Sequence, residues 1–229
     1  MLTVAIVVAG GPGTRLGAKG PKGFVSLGGQ PLVVHAVRAM LASPAVDRAV
    51  VVVPAGLVVR GRALLEPFNE PARPFIVVAG GAERQDSVRN GLAAAGDADL
   101  IAIHDAARPF VSRAAIEAAI DAAERHGAAI VATPATDTVK RVHPEGWIEA
   151  TPPREQLWLA QTPQVFRADV LRDAHTRAQG NGATDDAALV EAMGQRVYVV
   201  RGNPENRKIT TPDDLRWAEW MLAQQSAPH

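Results

Sequence analysis

VAGGPGTRLGAKGPKGF, residues 8–24, sets six glycines and three cations directly after the apolar run LTVAIVVA at 2–9. That run, broken only by Thr3, is what a strand buried on both faces requires, so it predicts a parallel sheet covered by helices on either side. The stretch that follows is no ordinary first helix. Glycine at 10, 11, 13, 17, 20 and 23, with Pro12 and Pro21, interrupts any helical register. The first question is what a loop so flexible and so positive is for.

Outward from the loop, short β-branched runs alternate with Ala-rich helical stretches. Strands are predicted at 49–53, 75–79, 100–104, 128–133 and 197–201, and helices at 31–43, 83–95 and 112–126, with a final helix from 212. Pro31 suits a first helical position, and Ser112 caps a helix whose Glu117, Asp121 and Arg125 lie along one polar side. In Thr211-Pro212-Asp213-Asp214, Thr211 is the expected N-cap, Pro212 sits at N1, and the acids complement the helix dipole. The alternation predicts a single α/β domain over 1–229, a Rossmann-like three-layer sandwich around a mainly parallel sheet. One segment departs from the rhythm. TVKRVHPEGWIEATPP, 138–153, has two short extended runs around Pro144-Glu145-Gly146 and reads as a protruding β-hairpin arm. A two-stranded ribbon is marginal alone, so this arm is expected to pack on a second subunit.

Composition narrows the chemistry. Lys+Arg and Asp+Glu both number 24, a formal net charge of zero, which argues against a general nucleic-acid or membrane-surface binder. An anionic ligand must then be met by a local cluster of cations. With no cysteine there are no disulfides, thiolate nucleophiles or thiolate metal sites. The histidines at 35, 104, 126, 143, 175 and 229 show no zinc-ligand spacing, and His104 reads as structural at a strand end. The N-terminal run lacks a basic leader and no apolar run approaches a membrane span, so a soluble cytoplasmic protein is expected.

Two readings of the loop compete with the bland one of a solvated surface turn. Gly11-Pro12-Gly13-Thr14-Arg15-Leu16-Gly17 mimics a dinucleotide-binding turn. Against it, glycines and prolines keep breaking the helix that should begin there, and VVVVP at 50–54 ends in Pro54 where an acid should meet a ribose hydroxyl. No GxxxxGK[ST] can be drawn through the loop either. A triphosphate-wrapping loop fits better, because glycines let backbone N–H groups face phosphate oxygens while Arg15 and Lys22 add mobile positive charge.

VAGGPGTRLG…GPK resembles the loop signature of nucleoside-triphosphate transferases acting on small phosphorylated molecules. Together with GGAERQDSVRNGL at 80–92, IHDAARPF at 103–110, DTVKR at 137–141, TPQVF at 162–166 and GNPENRKITTPDDL at 202–215, the chain resembles the 2-C-methyl-D-erythritol 4-phosphate cytidylyltransferases along nearly its whole length. The resemblance implies attack of the methylerythritol phosphate on the α-phosphorus of CTP, with Mg²⁺ as cofactor. Both reactants are anions, and each pair of unit charges costs about 4 kcal/mol at ~4 Å and an effective dielectric near ~20.

By the same resemblance, Arg15 and Lys22 contact the triphosphate and stabilise the transition state, and Lys208 reaches the reacting phosphates. Ala9, Gly10, Gly11 and Gly13 line the triphosphate, Gly81, Ala82 and Ser87 the base, and Ala106 another part of the nucleotide. Asp105 lies near Mg²⁺ and substrate. Arg108, Thr138, Arg154 and Thr162 surround the acceptor, Arg154 with a catalytic role, and the arm interlocks with a second copy in a homodimer. Lys19 matches nothing and reads as solvated. Three positions depart from the family pattern: Gly23 stands where Gln is common, Ala82 where Asp or Asn is, and Ala9-Gly10-Gly11 where Ala-Ala-Gly is. Other readings are a ribitol 5-phosphate (polyol phosphate) cytidylyltransferase, a regulatory nucleotide-binding domain without catalysis and an NAD(P)-dependent oxidoreductase. At this length no fused cyclase domain is expected.

Overall fold

In the structure, a computed structural model that describes residues 1–17, 20–178 and 183–226, the first strand, β1 (Thr3–Val8), lies at the middle of the sheet. It pairs in parallel with both neighbours, Ile6 facing Val50 on one side and Ile103 on the other, so every side chain along it meets protein. This is why its sequence is apolar without alternation.

In chain order there follow β2 (Ser26–Leu27), β3 (Gln30–Pro31), α1 (Leu32–Leu41), β4 (Arg48–Val53), α2 (Val58–Leu65), β5 (Phe75–Ala79), α3 (Arg84–Ala94) and β6 (Leu100–Asp105). The second half contains α4 (Arg113–His126), β7 (Ala128–Pro134), β8 (Arg141–Val142), β9 (Ile148–Ala150), β10 (Trp158–Arg167), α5 (Ala168–Arg177), α6 (Asp186–Ala192), β11 (Tyr198–Arg201) and α7 (Pro212–Ser226). The central sheet runs β11-β7-β10-β6-β1-β4-β5, and only β10 is antiparallel to its neighbours.

Alternate residues of the strands feed two cores. Ala5, Val7 and Val51 pack with Val33, Val37 and Met40 of α1, Leu65 of α2, and Ile116 and Ile120 of α4. On the opposite face Val4, Ile6 and Val52 meet Val88 and Leu92 of α3, Leu171 of α5 and Val190 of α6. A smaller cluster of Leu16, Leu27, Leu32, Ile209 and Ala218 anchors the glycine loop and α7 to the body. The predicted α/β three-layer sandwich is what forms, and β8 and β9 pair antiparallel as the expected hairpin.

Several predicted elements need correction. The helix expected from Pro31 begins at Leu32, because Pro31 pairs in β3 and serves as its N-cap. The last strand begins at Tyr198 and not at 197. The sequence reading passed over α2, β10, α5 and α6. β10 escaped because WLAQTPQVFR mixes polar residues and a proline into the strand, and its pairing with β7 is broken between Ala160 and Gln164.

Candidate active site

Parallel sheets bind ligands beyond the C-terminal ends of their strands, where neighbouring strands lead the chain in opposite directions. Here that place is the gap between β1 and β6, since β4 lies on one side of β1 and β6 on the other. The glycine loop leaves β1 and folds back on itself. Leu16 N–H donates to Gly13 O at 3.0 Å, and Lys22 N–H to Gly11 O at 2.9 Å. Glycine allows a close approach at two points. Gly13 has φ of +73°, and a Cβ there would come within 2.7 Å of Gly20 O. Gly23 is buried against the end of β1, where a Cβ would meet that of Ala9 at 2.9 Å. The Gln common at this position in the resembled family would need the end of β1 or the loop to shift. The same fold of the loop lays the Lys22 side chain across Gly11 and into the cleft. Arg15 is exposed on a short 3₁₀ turn nearby, and Lys19 lies outside the described residues.

Asp105 ends β6 and is buried. Its position is fixed by a chain of hydrogen bonds whose donors can be assigned in one direction. Asp105 N–H donates to Thr162 Oγ1 at 3.1 Å, Thr162 Oγ1 lies 2.9 Å from His104 Nδ1, and His104 Nε2 lies 3.0 Å from Arg108 O. Burial lowers the His104 pKa to about 4. A neutral ring that accepts at Nδ1 and donates from Nε2 satisfies all three contacts. The expected structural role of His104 holds, and Thr162, expected at the acceptor, spends its hydroxyl here on positioning Asp105.

A second set of bonds brings the late motif in. Ile209 N–H donates to Ala107 O at 2.8 Å, Asn206 Nδ2 to Thr162 O at 2.7 Å, and Arg108 Nη1 to Asn206 O at 2.7 Å. Residues 206–209 are thereby clamped beside β6. Lys208 Nζ reaches Asp105 Oδ2 at 2.6 Å, with Arg108 Nε at 3.8 Å from the same oxygen and Arg84 Nε at 3.9 Å from Oδ1. Burial alone would raise the Asp105 pKa. Lys208, then Arg84 and Arg108, overcome it and hold the carboxyl well below the usual range. For Lys22 the surroundings disfavour the charged form: burial first, then the neighbouring Lys208, lower its pKa to about 8.

The cleft so formed, about 300 Å³, is lined by Gly10, Gly11, Lys22, Arg84, Ser87 and Asp105 among others. Gly81 and Ala82 line it too, and Ser87 Oγ accepts from Gly81 N–H at 3.2 Å, holding that wall at the N-terminus of α3. Buried Ala9 and Ala106 back it where their N–H groups bond Val52 O and Val8 O. Arg108 and Lys208 also line a second hollow of about 470 Å³, with Thr136, Leu159, Arg201 and Arg207. Lys208, which lines both, therefore stands between two chambers, with Arg108 on the side of the second. A hollow of about 530 Å³ between α1 and residues 67–73 gathers no comparable cluster. Its Arg38 bonds Gln30 and its Arg73 bonds Leu41 O.

Two expected acceptor residues lie elsewhere. Thr138 is exposed at the start of the arm, and Arg154 at its end donates to Thr136 O at 2.9 Å and stands 3.9 Å from Glu155. Sequence reasoning missed Arg84, which sits inside a quoted motif, and its buried partners Asp186 and His175. No local pattern marks those two, because their connection to the cleft exists only once α5 and α6 pack against α3. Among the described residues no three metal-ligating side chains converge, and no helix is long and apolar enough to cross a membrane.

A glycine-wrapped cleft at the sheet's switch point, lined by Lys22 and with Lys208, Arg84 and Arg108 gathered on one buried carboxylate, defines the class: a nucleotidyltransferase-type α/β domain. The family model for IspD, 2-C-methyl-D-erythritol 4-phosphate cytidylyltransferase, matches residues 3–224. A protein of that name from Nocardia farcinica strain IFM 10152 is 49% identical over 225 residues, covering 98% of this chain and 95% of its own. Another from Syntrophus aciditrophicus strain SB is 45% identical over 225 residues, covering 97% and 96%. The crystal structure of the Thermus thermophilus enzyme of the same name superposes with a TM-score of 0.78 at 35% identity, covering 97% of this chain and all of that one. The chain belongs to the 2-C-methyl-D-erythritol 4-phosphate cytidylyltransferase family.

Proposed function

We propose that this enzyme transfers CMP from CTP to 2-C-methyl-D-erythritol 4-phosphate, giving 4-diphosphocytidyl-2-C-methyl-D-erythritol and pyrophosphate. The observation that carries the reading is the placement of Lys208 between two chambers, with Lys22 and the glycine loop on the nucleotide side and Arg108 on the other. CTP occupies the first chamber, its triphosphate against residues 9–13 and Lys22, its base toward Gly81, Ala82 and Ser87. The acceptor phosphate enters from the second. One of its oxygens bonds the α-phosphorus as the bond to the bridging oxygen breaks, and pyrophosphate carries that electron pair away. The attacking oxygen is already ionised, so no base is needed. Lys22, Arg15 and Lys208 lower the repulsion between the anions and stabilise the charge that grows on the leaving group.

Mg²⁺ fits this site as an ion carried mainly by the triphosphate. Asp105 is ionised, no group of three metal-ligating side chains forms around it among the described residues, and Mg²⁺ accepts one carboxylate with substrate oxygens and water. Bound there, it would add Lewis-acid stabilisation of the phosphates. The enzyme acts as a homodimer in the cytoplasm, the arm of each copy presenting Thr138 and Arg154 to the other's acceptor chamber. The exposure of both residues on the flanks of the arm supports that arrangement.

The test is pyrophosphate release with Mg²⁺ and CTP, ATP or GTP against methylerythritol 4-phosphate or ribitol 5-phosphate. Turnover with CTP and methylerythritol phosphate alone is expected. Faster turnover on ribitol phosphate would move the enzyme to polyol phosphates, a reading the family match does not favour.

A further inference from the structure

Behind the cleft lies a second, buried polar chain that the transfer chemistry above does not use. Asp186 and His175 are almost wholly buried, at 1% and 4% exposure. His175 Nε2 meets Asp186 Oδ1 at 2.9 Å, and Arg84 Nη2 meets the other oxygen, Oδ2, at 2.7 Å. Gln164 adds a brace: its Oε1 accepts from the N–H groups of Asp186 and Ala187, and its Nε2 donates to Asp185. Three elements, α3, α5 and α6, thus meet at one carboxylate, and β10 holds the backbone that carries it.

Burying a carboxylate is costly unless a cation meets it, and any arginine could have done so. The arginine that does is one whose other edge opens into the nucleotide cleft. The Arg84 side chain keeps about a third of its surface exposed, at 32%, and its Nε stands 3.9 Å from Asp105, beyond hydrogen-bond range. Without Asp186 to hold it, the guanidinium would be free to close on Asp105, 3.9 Å away, and neutralise it. Held as it is, it keeps donors facing the chamber that Lys22 and the glycine loop share.

We propose that Arg84 binds an oxygen of the nucleotide in this cleft, and that Asp186 and His175 are positioning residues that hold its guanidinium off Asp105. The inference rests on the cleft being the CTP site. Asp186 acts only through Arg84, which makes the two substitutions non-additive.

The test is a double-mutant cycle with Arg84→Gln and Asp186→Asn, read as KM for CTP, KM for the acceptor and kcat, with folding followed by thermal melts. Arg84→Gln is expected to raise the CTP KM about tenfold, and Asp186→Asn several-fold, with the acceptor KM unmoved. Asp186→Asn added to Arg84→Gln should raise it no further. Additive effects, or unchanged kinetics beside a lowered melting temperature, would make the network purely structural and overturn the proposal. Should Asp186→Asn fail to fold, His175 carries the same question. His175→Gln keeps a donor for Asp186 and should keep the CTP KM, whereas His175→Leu should raise it; equal values for the two defeat the proposal. Lys22→Ala runs alongside. If it leaves CTP binding intact, the cleft assignment itself fails; if it weakens binding while the Arg84 and Asp186 variants do not, only this inference fails.

Discussion

Lys22 carries two opposed environments on one ammonium. Burial and Lys208 lower its pKa from 10.5 to about 8, while the polyphosphate it is placed to meet would raise it again. In the free protein the unfolded chain therefore holds more protons than the folded one between about pH 8 and 10.5. Lys22's contribution to stability rises with pH across that window. Binding runs in the opposite sense. Above about pH 8 the free enzyme loses the charge that CTP needs, so kcat/KM for CTP should fall on the alkaline side with an apparent pKa near 8. Lys22→Arg, always protonated, should move that limb upward. Lys22→Ala should cost on the order of 100-fold in kcat. A pH profile of kcat/KM for the three proteins checks all of this, and a flat wild-type profile through about pH 9 would remove Lys22 from the role. At this scale the sequence was readable where a residue's neighbours along the chain prepare it, as for Lys22 in its loop and Asp105 at a strand end. Lys208 is marked only by the family motif, because what aims it is the clamp from Asn206 onto β10 and from Ile209 onto Ala107, just past β6.

Among the elements, β10 does the most to build the site and was the least visible. A buried strand that interrupts its apolar run with Gln161, Thr162 and Gln164 contradicts simple patterning, yet each polar side chain has a partner in place. Gln161 donates to Asn203 O, Thr162 holds His104 and Asp105, and Gln164 holds the start of α6. The irregular pairing with β7 falls on this segment and frees it for those bonds. By contrast β1, β4 and α4 were legible, since their burial follows one unbroken apolar run or one helical face, and the Ser112 cap formed as read, accepting from Ala115 N–H. Thr162→Val keeps the shape of the side chain and removes its hydroxyl. It leaves the Asp105 N–H and His104 Nδ1 without partners in a buried place, a loss of about 1–3 kcal/mol. Urea denaturation should show that drop, and kcat should fall with it because Asp105 is no longer fixed. A Thr162→Ser variant should recover both.

On the scale of the whole molecule, the arm is a structure without a core of its own. Val142, Trp147 and Ile148 stand exposed on a ribbon of β8 and β9, Trp147 at 73% and Ile148 at 63%. Large apolar side chains gathered on so short a hairpin are better explained by a covering surface than by solvent. The two residues the family resemblance gives to the acceptor, Thr138 and Arg154, flank that same hairpin. If the covering surface is a second copy, Arg154 of one chain completes the site that holds the other chain's Lys22. Mixing subunits tests this directly. Lys22→Ala and Arg154→Ala proteins should each be nearly inactive. When they are unfolded and refolded together in equal amounts, about half of the dimers are mixed. In each mixed dimer one site carries both substitutions and the other carries neither, so activity should return to about a quarter of the wild-type value. If Arg154 serves its own chain, every site keeps one defect and no activity returns. Trp147→Asp, which puts a charge on the face the partner should cover, is expected to sediment as a monomer and to lose turnover while still binding CTP. A Trp147→Asp protein that stays dimeric would place the subunit contact elsewhere on the surface.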